Sequence, residues 1–490
     1  MEQQADYRSK YYKGFKAYIR FVLEKIYYRK LYVKGLENIP AAGTPVLIAS
    51  NHQNALNDAL GVLMAINDRK PRFIVRGDAF ALGGGSFGKF LKTIGLLPAY
   101  RLNYDGENAL AGNDKTFRVS EQALLDGGTV LIFPEAGHSE GHWLSTFKSG
   151  FTKMAFDAAE LGGFGKEIMV LPACNHYSTY FGIRGELYVE FGKPIPLSQY
   201  YELYKVKPRT AQRELSHLVR ERIEGMMLDV KDKKHYHEIE WIRKSEIGDI
   251  YAKSKGLNPK DLGEKLQADR MLCASLENAE RAENPYYTDF VCDEGFSADE
   301  LAEMARVRQE EKRAGGEPVK GPVQDMYKAV NEYRASLDKA GLKDVQFTLS
   351  LSKMDLGIRL LCLVILAPLA FYSLWPSVIC YFLPLYFARK MKGRLFDGTF
   401  LFAVNVLVLF PVLGLLTFFW DWHRTSLLWG AAHVALFPAI ILFEWAYFKW
   451  VFEAVRDIRW FLLEKKGTIE KLRSARNDVY NRIKNVLGNE

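Results

Sequence analysis

His52 is the residue whose type and position first suggest chemistry. It follows the apolar run PVLIAS (45–50) and stands where a helix is predicted to begin, with Asn54 able to cap that helix. One turn or so further on, Asn57 or Asp58 could hold the imidazole. A carboxylate there would fix the tautomer of His52 and stabilise the imidazolium formed when the ring takes a proton from a hydroxyl group. A histidine that only hydrogen-bonds at a strand-to-helix turn is the alternative interpretation of this pair.

Further polar residues follow other predicted strands. Arg101 ends GLLPAYR (95–101), Pro172 lies in IMVLPA (168–173), and the stretch after TVLIFP (129–134) carries Glu135, Gly137, His138, Ser139 and Lys148. Loops at the carboxyl ends of parallel strands meet at one edge of a sheet, where active sites form. The spacing therefore predicts a basic and polar site suited to a small phosphate, close to a histidine base.

The elements that must position these residues alternate along the chain. Apolar runs at 45–50, 72–77, 129–134, 168–173 and 186–192 predict strands, and helical patterns occupy 54–66, 86–94, 116–126 and 148–160. This order predicts an α/β domain over 36–200, in which helices flank a largely parallel sheet.

These motifs resemble those of the glycerolipid acyltransferases, a family that includes glycerol-3-phosphate and lysophosphatidic acid acyltransferases. The resemblance rests on SNHQNALNDAL, LLPAYR, FPEAGHS…FKSG and IMVLPA, which occur in the family's order over roughly residues 30–200. It implies that His52 deprotonates an acceptor hydroxyl, which then attacks an acyl thioester of coenzyme A or acyl carrier protein directly. It also implies that Arg101 and the loop around Glu135 and Gly137 hold the acceptor phosphate, with no further cofactor.

The chain departs from the family pattern at two motifs. Asn57 occupies the family's carboxylate position, five residues after the histidine, and Asp58 follows one residue later. We expect Asp58 to serve His52, because an amide cannot offset the charge of the imidazolium. In the third motif Ala136 replaces the usual glycine and His138 stands where the pattern reaches arginine. An acceptor without phosphate, such as a lysolipid with an amino-acid head group, and an inactive membrane scaffold are the alternatives.

Three stretches without formal charge predict an integral membrane protein. They are Leu360–Ala388, Gly398–Trp420 and Thr425–Phe443, of 29, 23 and 19 residues. Because the basic loop RKMKGR (389–394) is predicted to face the cytosol, the first stretch must turn back on itself. The 351–455 region is thus predicted as a hairpin over 358–388, near Trp375–Pro376, and helices over 398–420 and 425–447.

The flanking regions are basic or charged. Residues 1–35 are predicted to form an aromatic amphipathic helix on the membrane surface, since Tyr7–Lys34 holds nine Lys or Arg and nine Tyr or Phe. The tail, 456–490, is basic and is predicted to be cytosolic, and 201–350 is predicted to be a cytosolic helical region with a linker near 310–322.

Other functional classes find little support in the sequence. The five scattered cysteines favour a reducing compartment over a disulfide framework, and no metal motif is evident. The basic N-terminus is not followed by a nucleic-acid motif. We therefore expect a membrane-anchored acyltransferase of phospholipid synthesis whose catalytic domain faces the cytoplasm, with membrane lipids, the acyl donor and a phosphate-bearing glycerol acceptor as partners.

Overall fold

The computed structural model describes residues 10–76, 89, 91–92, 94–99, 108–137, 141–180, 183–283, 321–390 and 397–488. The chain divides into two compact units, one formed mainly by residues up to Asp229 and the other mainly by residues from Val230 onward.

The first unit is built on a mixed, mostly parallel sheet, as predicted. Its strands are β1 (Tyr28–Lys34), β2 (Val46–Ser50), β3 (Arg72–Arg76), β4 (Leu96–Ala99), β5 (Thr129–Ile132), β6 (Met169–Tyr177), β7 (Gly185–Phe191) and β8 (Ile195–Pro196). Their order is β1-β7-β6-β2-β5-β3-β4, with β8 beside β6, and the pairs of β6 with β7 and β8 are antiparallel. The central strand β2 is buried along its whole length, as its continuous apolar sequence predicts.

Helices cover this sheet. They are α1 (Lys10–Phe21), α2 (Leu56–Ala65), α3 (Asn108–Leu125), α4 (Gly150–Leu161), α5 (Tyr201–Val206) and α6 (Pro208–Glu224). The apolar face of α4 forms a core with β2, β6 and α6, in which Phe151, Phe156 and Leu215 are fully buried. Most of the predicted helix over 86–94 lies outside the described residues.

The N-terminal segment corrects the prediction of one helix through residue 35. Helix α1 ends at Phe21, a π-helical turn covers Val22–Tyr27, and the chain continues as strand β1. The aromatic and β-branched residues of YYRKLYVK suit a strand, and this strand gains a ladder with β7. Two basic residues of helix α1 also face the domain, because Lys16 donates to the carbonyl of Ile66 and Arg20 donates to that of Met64.

The second unit is helical over its described residues. Its helices are α7 (Tyr236–Lys244), α8 (Glu246–Ser254), α9 (Leu262–Glu283), α10 (Pro322–Ala340), α11 (Lys353–Lys390), α12 (Asp397–Val404), α13 (Phe410–Arg424), α14 (Leu427–Glu464) and α15 (Thr468–Leu487), although the start of α12 belongs to the first unit. The predicted linker near 310–322 falls almost entirely outside the described residues. A hydrogen bond connects helix α15 to the segment after α10: Arg476 Nε of α15 donates to Asp344 Oδ1 at 2.8 Å.

The apolar part of this unit differs from the predicted hairpin. Helix α11 continues without interruption through Trp375–Pro376, so the hairpin expected over 358–388 is wrong. A proline removes only one helical hydrogen bond, and long apolar helices accommodate that loss. Within the described part of the chain, two helices are long and apolar enough to cross a membrane, one over Lys353–Ser373 and the other over Leu427–Glu464.

Candidate active site

The site forms where the chain leaves two neighbouring parallel strands. Strand β2 pairs with β5, so the loops that follow them lie side by side at the carboxyl edge of the sheet. His52 comes from the first loop and Phe133 from the second, and their rings stack with centroids 3.9 Å apart and planes 9° apart. The His52 side chain is 15% exposed, which leaves the imidazole accessible at the edge of the domain.

Asp58 holds the imidazole of His52. His52 Nδ1 lies 2.9 Å from Asp58 Oδ2, and the Asp58 side chain is fully buried. The same oxygen accepts the backbone N–H groups of Gln53 at 2.9 Å and Asn54 at 2.8 Å. An ionised carboxylate only accepts hydrogen bonds, so Nδ1 donates and the lone pair of the neutral ring lies on Nε2. This is the tautomer that a general base requires.

The six-residue spacing between His52 and Asp58 depends on a turn at Ala55. Ala55 has a φ of 45°, and helix α2 begins only at the next residue. The turn absorbs one residue, so that Asp58 in the first helical turn points back toward the loop. Asn57 is turned elsewhere, because its amide nitrogen donates to Asn54 Oδ1 at 3.3 Å and its oxygen is among the described buried atoms without a hydrogen-bond partner. The geometry thus joins His52 to Asp58, the neighbour chosen from the sequence.

Glu135 ties the two loops together. Its side chain is buried, with Oε1 accepting the His52 backbone N–H at 2.7 Å and Oε2 accepting that of Ser145 at 2.8 Å. Burial raises the pKa of Glu135 to about 7, although these two N–H donors act in the opposite direction. Both oxygens are committed to the backbone, which favours a role in positioning His52 over the substrate contact expected from the sequence.

Changing Glu135 to glutamine should therefore lower acyl transfer by about tenfold or more, because a side-chain amide can accept only one of the two backbone N–H groups. The measurement is kcat of the membrane-bound variant. The same change should remove a pH dependence of stability. A carboxyl whose pKa is raised on folding stabilises the fold below its unfolded pKa of about 4.5, and that stability is lost as the pH rises through about 7.

The thermal midpoint of the wild type, compared with that of Glu135→Gln at the same pH, should therefore decrease as the pH rises from about 4.5 to about 7. Lys153→Met serves as a surface control. Among the described ion pairs, the Lys153 ammonium group pairs only with Asp157, one turn further along the same helix. An unchanged kcat in Glu135→Gln would show that catalysis does not depend on the hydrogen bonds of Glu135 to the two loops.

The remaining predicted site residues are placed differently. Gly137 is half-buried in the second loop, just after Ala136, whose φ is 51°. Lys148 is exposed and its backbone N–H donates to the Pro134 carbonyl at 2.8 Å. Pro172 is buried within β6, opposite Ala49 of β2, and so lies inside the sheet. Arg101, His138 and Ser139 lie outside the described residues.

A buried polar network beside the dyad was missed from the sequence. The Tyr180 hydroxyl donates to Gln53 Oε1 at 2.6 Å and lies 3.0 Å from His142 Nδ1. Asn51 is bonded to the backbone of Asn175 in both directions, at 2.8 and 3.0 Å, and thereby joins the catalytic loop to β6. The sequence signal was the run CNHY, which places polar residues inside a strand that is otherwise apolar.

A possible metal-ligand group lies in the second unit, away from these loops in sequence. The described residues Asp232, His235 and Glu280 are buried, and one donor atom of each lies within 4.8 Å of the others. His235 Nδ1 already pairs with Asp232 at 2.7 Å, and both Glu280 oxygens accept from Gln324. These contacts explain the group as a buried ion-pair cluster. Cys174 is fully buried in β6, as expected for a structural cysteine.

Comparison with known proteins places the dyad in a family. Residues 30–175 match the family model described as Acyltransferase. This part of the chain is similar to the acyltransferase family. The match includes His52, Asp58 and Glu135, so the paired loops are those of an acyltransferase domain, and the activity that the domain supports is acyl transfer.

Among solved structures the chain is similar to the 1-acyl-sn-glycerophosphate (LPA) acyltransferase PlsC from Thermotoga maritima, with 15% sequence identity and a TM-score of 0.32 over 46% of this chain and 84% of that one. The search of curated proteins found no match.

Proposed function

We propose that the protein is a membrane-anchored O-acyltransferase that moves a fatty acyl group from an acyl thioester to a hydroxyl of glycerol 3-phosphate or lysophosphatidic acid. The observation that carries the proposal is the His52–Asp58 contact of 2.9 Å at the carboxyl edge of the sheet, in a domain of the acyltransferase family. A histidine base oriented by a buried carboxylate is what activation of a substrate hydroxyl requires.

The reaction proceeds without a covalent acyl-enzyme. His52 Nε2 takes the proton of the acceptor hydroxyl while the oxygen attacks the thioester carbonyl carbon. The tetrahedral intermediate collapses with cleavage of the carbon–sulfur bond, and the imidazolium returns its proton to the departing thiolate. The products are an ester and the free thiol of coenzyme A or acyl carrier protein. Asp58 stays ionised and stabilises the imidazolium throughout.

The acceptor is a phosphate-bearing glycerol, with Arg101 as its main ligand. This part of the proposal rests on the sequence motifs, in which Arg101 supplies a charge-assisted contact that suits a phosphate. His138 binds a phosphate less dependably than an arginine, which favours testing a lysolipid without phosphate beside the two proposed acceptors.

Membrane anchoring is assigned to the apolar helices of the second unit. The helical segments Lys353–Ser373 and Leu427–Glu464 expose large apolar side chains, among them Phe371 and Leu428, each of which is 81% exposed. Such surfaces are unfavourable in water and suit a lipid environment. The product of the reaction belongs in the bilayer, which is consistent with an anchored enzyme. The basic tail supports a cytosolic location for the flanking regions.

The two flanks of the apolar region should lie on one side of the membrane. Asp344, before α11, pairs with Arg476, after α14, and Arg359 near the start of α11 pairs with Asp457 near the end of α14. A cysteine-labelling reporter in 421–424 should therefore react from the side opposite to reporters at 344 and 476. Labelling of intact and permeabilised cells checks this prediction, and reactivity of all three positions from one side would contradict membrane spanning.

Acyl transfer assays test the function itself. The full chain in lipid nanodiscs is given labelled acyl-coenzyme A or acyl carrier protein, with glycerol 3-phosphate, lysophosphatidic acid or a phosphate-free lysolipid with an amino-acid head group as acceptor. The proposal expects a labelled ester with one of the first two acceptors. Transfer to the phosphate-free lysolipid alone would replace the proposed acceptor class, and no transfer with any pair would favour a scaffold role.

A further inference from the structure

Tyr177, at the end of β6, donates a hydrogen bond to the carboxylate that orients His52. Its hydroxyl lies 2.7 Å from Asp58 Oδ1, and the residue is only 1% exposed. We infer that Tyr177 is a positioning residue of the acyl-transfer reaction, which acts on His52 through Asp58. The inference rests on the proposed role of His52 as the base.

The contacts of Asp58 divide between its two oxygens. Oδ2 faces His52 Nδ1 and two backbone N–H groups, all from the same loop. Oδ1 faces the Tyr177 hydroxyl, which comes from a different strand 119 residues further on. A fully buried carboxylate needs donors on both oxygens to remain ionised. Tyr177 therefore completes the set that keeps Asp58 charged, and it fixes the plane of the carboxylate against the sheet.

The hydroxyl of Tyr177 is suited to remain a donor. Burial, and then the negative charge of Asp58, raise the pKa of Tyr177 well above its usual value, so that it stays protonated at the pH of the reaction. A neutral hydroxyl can donate to the ionised Asp58, whereas a phenolate would repel the carboxylate.

Neighbouring Tyr28 provides a matched control. Its ring lies 6.1 Å from that of Tyr177, and it is equally buried. Its hydroxyl, however, is one of the buried atoms for which the described part of the chain offers no hydrogen-bond partner. The changes Tyr177→Phe and Tyr28→Phe each remove a single oxygen from the same aromatic cluster, but only the first removes a donor to Asp58.

The experiment measures kcat, KM and the pH profile of kcat/KM for the full chain in nanodiscs. Tyr177→Phe should lower kcat about ten- to a hundredfold, the range for a hydrogen bond to a charged group, with little change in KM. Because Asp58 then loses a donor that helps to keep it ionised, it stabilises the imidazolium less strongly, and the acidic limb of the profile should move to lower pH. Tyr28→Phe should keep the wild-type kcat and profile.

A double-mutant cycle separates positioning from packing. In an Asp58→Asn background, Tyr177→Phe should have at most a small further effect, since the charge on which it acts is gone. A tenfold loss in that background, or a lower kcat without a shifted limb, would show a structural role and overturn the inference. If the wild type transfers acyl groups through His52 but Tyr177→Phe is unaffected, only the inference fails; if His52→Ala remains active, the proposed function fails.

Discussion

Replacing His52 with alanine is expected to reduce the rate of acyl transfer by about 10²–10⁴-fold, the contribution of a well-placed general base. The imidazole is the accessible member of the dyad, and Asp58 orients it through a contact of 2.9 Å at Nδ1. The change should lower kcat rather than raise KM, because the imidazole takes part in proton transfer and not in substrate binding. The measurement is kcat with saturating acyl donor and acceptor.

His217→Ala is the matched control, since this histidine is exposed on α6 of the same unit. It should retain wild-type activity and show that losing an imidazole is harmless elsewhere in the unit. The His52 variant should stay folded, because the Asp58 carboxylate keeps its bonds to two backbone N–H groups and to Tyr177. Substantial transfer by His52→Ala would rule out the base mechanism.

The sheet was predictable because burial leaves a simple signature in its central strands. A strand covered on both sides is a continuous apolar run, and β2, β5 and β6 were found in that way. The first strand was missed for a physical reason. In YYRKLYVK, aromatic and basic residues fit both a membrane-surface helix and an edge strand, and only pairing with β7 decides between them.

The dyad was predictable because both partners lie within one short stretch of sequence. What the sequence could not show is the backbone turn at Ala55 that brings residues six apart together. Contacts between distant loops were also out of reach. Glu135 was selected by its motif, but its bond to the backbone of His52, 83 residues away, depends on the pairing of β2 with β5. Tyr177 lies in the polar run CNHY, but nothing in that run points to Asp58, which lies 119 residues earlier.

Both loops of the site hold strained backbone. Ala55 and Ala136 have φ values of 45° and 51°, a region that residues with a side chain adopt only at a cost. Each lies next to a functional contact, since Ala55 precedes the helix that presents Asp58 and Ala136 follows Glu135. The hydrogen bonds of these two carboxylates to backbone N–H groups offset the strain, so the same contacts hold the loops and orient the base.

Exchanging Asp58 for asparagine should separate charge from shape at the dyad. The asparagine oxygen can take the place of Oδ2 and accept the backbone N–H groups of Gln53 and Asn54. Its NH₂ group then faces the Tyr177 hydroxyl, which can rotate to accept. The variant should thus remain folded while it loses the negative charge that stabilises the imidazolium. We expect kcat to fall by about 10²–10⁴-fold.

Asn57→Ala is the decisive comparison, because Asn57 occupies the position that the family motif assigns to the carboxylate. Its amide reaches Asn54 at 3.3 Å, and its oxygen has no hydrogen-bond partner among the described residues, so truncation removes one weak contact. We expect kcat to change by less than about tenfold, the effect of a single neutral hydrogen bond. An inactive Asn57→Ala beside an active Asp58→Asn would show that the five-residue spacing of the motif governs catalysis. The reverse result would establish that the turn at Ala55 has moved the catalytic carboxylate by one residue while keeping its place against His52.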